Sequence, residues 1–109
     1  MGKSVEFNIN KFERAIFSFT GKDEKLLLVK MPEKKVFDRM KDMQDLPDNT
    51  GYDELNEIFD SLLSDILSNN KQGKAITPES VRDMYDFEEK MEIFNRYMDF
   101  VKGATSDPN

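Results

Sequence analysis

Cysteine, histidine and tryptophan are all absent from this chain of 109 residues. Without cysteine there is no disulfide framework, no thiolate nucleophile and no cysteine-held zinc or iron–sulfur site. Without histidine the commonest general base and the commonest neutral metal ligand are both missing. Catalysis would have to rest on Asp, Glu, Lys, Tyr, Ser and Thr. No motif gathers them, so a non-enzymatic protein without cofactor or metal is expected. Glycine is scarce too. Its five residues are scattered, which excludes a phosphate-cradling glycine loop. The longest strong apolar run covers residues 26–29, far short of the roughly 20 residues that cross a bilayer. Met1-Gly2-Lys3-Ser4 leads into an alternating pattern with no signal-peptide core, so a cytoplasmic location is expected.

What is present suits one small domain. With 38% hydrophobic and 35% charged residues, the chain is too apolar for disorder and too charged for a membrane. The net charge is −6 and unevenly spread. Residues 1–45 hold ten Lys/Arg against eight Asp/Glu, whereas residues 46–109 hold six against fourteen. The acidic second half argues against nucleic acid as a ligand, since phosphates need clustered cations. It either keeps a small protein soluble or offers an acidic face to a basic partner.

Val5, Phe7 and Ile9 alternate with Glu6 and Asn8, the period of a half-buried strand. Residues 15–19 continue as a strand, although Phe12, Ile16 and Phe19 also fit helical spacing. Residues 20–25 form a polar turn, and 26–31 a more buried strand ended by Pro32. Pro32 suits the first turn of a helix over 32–43, whose stripe is Val36, Phe37, Met40 and Met43. Residues 46–51 read as loop. Residues 52–70 form the clearest helix, with Leu55, Ile58, Phe59, Leu62, Leu63, Ile66 and Leu67 on one side. Asp53, Glu54, Glu57, Asp60 and Asp65 take the other. Thr77 caps and Pro78 opens a short helix to about Tyr85. Asp86 and Glu89 match a capping box for a last helix over 87–102. Its stripe is Phe87, Met91, Phe94, Tyr97, Met98 and Val101, and Gly103 should stop it. The predicted fold class is α+β: a small N-terminal antiparallel sheet or hairpin followed by three to four amphipathic helices. One domain spans 1–103, with a flexible tail over 104–109.

Few residues invite chemistry. Asp53, Glu57 and Asp60 share a helix face, and Glu88, Glu89 and Glu92 cluster similarly. Buried together, such carboxylates bind metal or move protons; a solvated face is the simpler reading without histidine. Leu46 stands where a calcium loop over 46–57 would need its first ligand. Tyr52, Tyr85 and Tyr97 are expected at the core's edge with their hydroxyls in water. Seven methionines, most on predicted helices, suit a core or an adaptable partner groove.

The run of short motifs also resembles a family. Lys30-Met31-Pro32-Glu33-Lys34-Lys35 opens one helix and Tyr52-Asp53-Glu54-Leu55 the long one. Leu67-Ser68-Asn69-Asn70-Lys71-Gln72-Gly73-Lys74 closes it, and Ile76-Thr77-Pro78-Glu79 follows. Met84-Tyr85-Asp86-Phe87-Glu88-Glu89 and Phe94-Asn95-Arg96-Tyr97-Met98-Asp99-Phe100-Val101 complete the series. This order, clearest from Pro32 onward, resembles the small tail assembly chaperones of long-tailed phages and prophages of Gram-positive bacteria. The resemblance implies a non-enzymatic protein of the host cytoplasm, absent from the mature virion. Its partners would be the tape measure protein, which it keeps soluble, and the tail tube protein, which it helps recruit. It further implies a programmed frameshift, of which this chain would be the shorter product. A tape measure is a long helix with apolar stripes, which an amphipathic groove can cover. The expected partner-binding residues are Phe37, Met40 and Met43 on one helix, and Phe87, Met91, Phe94, Met98 and Val101 on another. The 52–70 helix would form the core. Self-association through spare apolar surface is a further expectation. Other readings stay open: an acidic inhibitor or DNA mimic, a structural head–tail component, or an enzyme using carboxylates alone.

Overall fold

Two short strands meet through a tight turn whose chemistry is local. β1 (Ile16–Thr20) and β2 (Leu26–Lys30) pair antiparallel, with Ile16 opposite Lys30 and Thr20 opposite Leu26. The computed structural model describes residues 2–106. In the connection Gly21 N–H donates to the Lys25 carbonyl at 3.1 Å, and Glu24 N–H to the Gly21 carbonyl at 2.9 Å. Glu24 takes the left-handed conformation that closes such a three-residue turn, with φ 62°. Gly21 serves a different purpose. A Cβ there would lie 2.8 Å from the Tyr85 hydroxyl, so the turn packs where only glycine fits. Glu24→Gly should therefore stabilise the fold by about 0.5–1 kcal/mol, since glycine adopts positive φ without strain. A rise of a few degrees in Tm would show it; an unchanged or lower Tm would mean that Glu24 makes compensating contacts.

The other edge of β2 is closed by the loop after the long helix. Lys30 N–H donates to the Asn69 carbonyl at 2.8 Å, and Lys71 N–H to the Leu28 carbonyl at 2.9 Å. The Gln72 side chain continues the pattern like a strand residue. Its Oε1 accepts from Leu28 N–H at 3.1 Å and its Nε2 donates to the Leu26 carbonyl at 2.9 Å.

Four helices follow: α1 (Lys34–Asp42), α2 (Tyr52–Ser68), α3 (Pro78–Met84) and α4 (Phe87–Ser106). A 3-10 turn, Met43–Asp45, extends α1. The predicted start signals of the last two helices are present in detail. Thr77 Oγ1 accepts from Ser80 N–H at 3.1 Å, with Pro78 at the first position. Asp86 and Glu89 exchange side-chain and backbone hydrogen bonds at 2.8 Å each, a complete capping box. Thus the α+β architecture of hairpin followed by helices is as the sequence predicted.

The core lies where the hairpin, α1, α2 and α4 converge. Leu62, Leu63, Ile66 and Leu67 of α2 are almost wholly buried, with Val29, Met40, Val81, Tyr97 and Val101 around them. Aromatic edges knit it together: Phe17 meets Tyr97 at 5.4 Å and Phe59 meets Phe94 at 5.6 Å between ring centres.

Two local expectations fail. Val5, Phe7 and Ile9 form no strand among the described residues; Ile9 begins a 3-10 turn, and the three are 92%, 73% and 54% exposed. Alternation gives a strand its faces but not a partner, and no neighbouring strand lies beside them. The strand expected over 15–19 is β1, and the helical spacing of Phe12, Ile16 and Phe19 forms no helix. The Asn8 side chain accepts from Asn10 N–H at 3.0 Å and fixes a 3-10 turn, Ile9–Lys11, before β1 begins. Nor does Gly103 stop α4, which continues to Ser106. One glycine costs a helix about 1 kcal/mol, too little to end it alone. The predicted tail is thus helical at 104–106, and residues 107–109 lie outside the described part.

Candidate protein-binding surface

Burial divides the residues that the sequence assigned to a partner. Met40, Phe94, Met98 and Val101 belong to the core, none more than 6% exposed. This corrects their placement on an open surface: the stripe of α4 faces its own domain. Phe37, Met43 and Phe87 are half-buried against that core. Met91, at 40%, is the one left exposed. Two surfaces remain where the assigned residues come together with others.

The first is a groove between α1 and α2, about 420 Å³ in volume. Met43, Leu46 and Ile58 supply its apolar part, and Asp42, Glu54 and Glu57 stand around them. Arg39 braces the two helices. Its guanidinium pairs with Asp65 and donates to Ser61 Oγ at 3.0 Å. That pairing neutralises the groove's cation and leaves the rim acidic. Met43 was legible from helical spacing. Leu46 was not, because it lies in a loop before Pro47, where periodicity says nothing.

The second is a small aromatic patch where α2 and α4 begin. Tyr52, 63% exposed, packs on Phe87 at 5.0 Å between ring centres. Met91 lies one helical turn beyond Phe87, on the same side of α4.

Polar groups that looked like candidate chemistry have structural work instead. Asp60 is not on a solvated face. It is 6% exposed, and the Lys90 ammonium sits 2.6 Å from its Oδ1. Lys90 also donates to Asn56 Oδ1 at 3.1 Å, so this buried pair ties α4 to α2. Spacing could not reveal it, because Asp60 and Lys90 lie thirty residues apart. Tyr97 likewise departs from expectation: its hydroxyl is not in water but donates to the Lys30 carbonyl at 2.7 Å. Burial pushes that phenol well above its ordinary pKa. Tyr85 is half-buried; burial raises its pKa too, and its hydroxyl accepts from Lys22 N–H at 3.3 Å. Lys22 reaches Glu89 at 2.7 Å, and this hydrogen-bonded pairing holds the Glu89 carboxyl below the usual carboxylate range.

Among the described residues no three acidic groups converge as a metal site would need, and no helix is long and apolar enough to cross a membrane. Compared with protein-family models, curated proteins and solved structures, the chain matches none.

Proposed function

We propose that the chain is a tail assembly chaperone, binding the tape measure protein before the tail tube polymerises around it. The reading rests on the motif order from Pro32 onward. The observation that carries it is the α1–α2 groove, whose apolar floor of Met43, Leu46 and Ile58 is ringed by Asp42, Glu54 and Glu57. A floor of this kind accepts the apolar stripe of a helix, and the acidic rim meets lysines flanking that stripe. Flexible methionine lets one groove accept successive segments of a long client. Recruitment of tail tube subunits, residence in the host cytoplasm and absence from the virion belong to the same proposal.

Co-expression with the tape measure protein of the same phage or prophage tests it. The expected result is a soluble complex carrying many copies of this chain. The double variant E54K/E57K should weaken that complex about tenfold or more, because both positions are exposed and their reversal repels a basic helix. Its circular dichroism should be unchanged. An insoluble client with no complex would favour an acidic inhibitor or a virion part instead. An unaffected complex with the double variant would move the contact away from this groove.

A further inference from the structure

We propose that two copies of this chain exchange the segment before β1, each laying residues 5–9 as a third strand along the free edge of β1 in the other. Two incomplete features of the same chain carry the inference.

One is the edge itself. Gly21 and Lys25 form a hydrogen-bonded pair, so Phe19–Leu27 and Phe17–Val29 are hydrogen-bonded pairs as well, by the alternation of an antiparallel ladder. The backbone groups of Ile16, Ser18 and Thr20 therefore point away from β2. Leu28 and Lys30 confirm the parity, since their outward groups bond to Gln72, Lys71 and Asn69. β2 is thus closed on both sides, while β1 has no ladder partner on its outer side among the described residues. Such an edge is a template for another strand. Beside it lies an aromatic shelf. Phe17 and Phe19 are half-buried, and Phe100 meets Phe17 at 5.6 Å between ring centres.

The other is the segment. Val5, Phe7 and Ile9 alternate with Glu6 and Asn8, and five residues match the five of β1. Among the described residues its hydrogen bonds stay within 8–12. The Asn8-capped turn and the extended Phe12 carry it away from its own sheet. The molecule measures 65 Å along its longest axis against 33 and 20 Å. Its radius of gyration is 16.8 Å, against about 13 Å for a compact domain of this length.

The area favours a second copy as occupant. Val5, Phe7 and Ile9, the apolar residues of the segment, are each more than half exposed. Together they leave on the order of 400 Å² in water, from the size of such side chains. Two reciprocal arms with the surfaces they cover would bury about 1,600 Å², enough for a stable closed dimer. Val5, Phe7 and Ile9 would fall on the Phe17 and Phe19 face, and Glu6 and Asn8 on the other.

Sedimentation of the full chain over a wide concentration range tests this. The expected species has twice the 12.7 kDa chain mass. The arm variant V5D/F7D should be monomeric, with the helical circular-dichroism spectrum of the wild type at low temperature and a lower melting point, since the dimer no longer stabilises the fold. The edge variant Ser18→Pro, which removes an outward N–H, should also be monomeric; the arm variant decides alone if this one unfolds. A wild-type chain that stays monomeric throughout overturns the proposal. So does a dimer that survives V5D/F7D, since it would use another surface.

Discussion

Replacing Lys90 by methionine is expected to cost about 3–5 kcal/mol of folding stability. The reason is the partner left behind. Asp60 and Lys90 are 6% and 3% exposed, so neither can turn to water when the other is removed. Among the described residues no donor is aligned on Asp60 Oδ1, and the ammonium at 2.6 Å acts on it through charge. Truncating the cation leaves a carboxylate buried between α2 and α4 without a counter-charge. Lys90→Met also removes the hydrogen bond to Asn56. The double variant D60L/K90M should recover most of the loss, because an apolar pair of similar volume needs no compensation. Denaturant unfolding of the two single variants and the double measures this directly. A Lys90→Met loss under about 1 kcal/mol would mean that water reaches the pair.

The second large effect separates two methionines on one stripe. Met91 and Met98 lie seven residues apart on α4, and the sequence treats them alike. Met98 is 6% exposed and Met91 40%. Met98→Asp puts an unpaired charge into the core, at a cost of several kcal/mol, on the order of the whole stability of a small domain. Its helical circular-dichroism signal should be lost at ordinary temperature. Met91→Asp should change stability by about 0.5 kcal/mol or less, as surface substitutions do. A cooperative, native-like melt for Met98→Asp would return that residue to the partner surface.

These two methionines also mark how far sequence reading reached. Periodicity found the hairpin and three of the helices, α1, α2 and α4, because apolar spacing is a property of one element; α3 was legible from Thr77 and Pro78 alone. Cap chemistry at Thr77, Asp86 and Glu89 was legible because it acts over three residues. A stripe shows which side of a helix is apolar, but not whether the surface facing it belongs to the same chain. Hence Met40, Phe94, Met98 and Val101 were legible as apolar stripe and illegible as core. Asp60 was misread for a related reason, since its partner is close in space but distant along the chain. Val5, Phe7 and Ile9 carry a strand's pattern, but pattern alone supplies no second strand. For the candidate groove, Met43 and Ile58 were visible as stripe residues. Leu46 and the convergence of Asp42, Glu54 and Glu57 emerge only once α1 and α2 are side by side.

The Gln72 side chain gives the small sheet an unusual kinetic property. Two-stranded hairpins ordinarily fray from either edge, and their outward amides exchange hydrogen with solvent quickly. Here the amides of Leu28 and Lys30 are held by Gln72 and Asn69 of the loop after α2. The Lys30 amide, held by loop backbone, cannot exchange until that loop lifts, whereas the Leu28 amide is also released when the Gln72 side chain rotates away. The loop is in turn anchored on α2, where the Asn70 amide donates to the carbonyls of Leu67 and Lys74 at 2.8 Å each. The protection of Lys30 in the sheet is thus coupled to the closure of the loop after α2, the least regular backbone beside it.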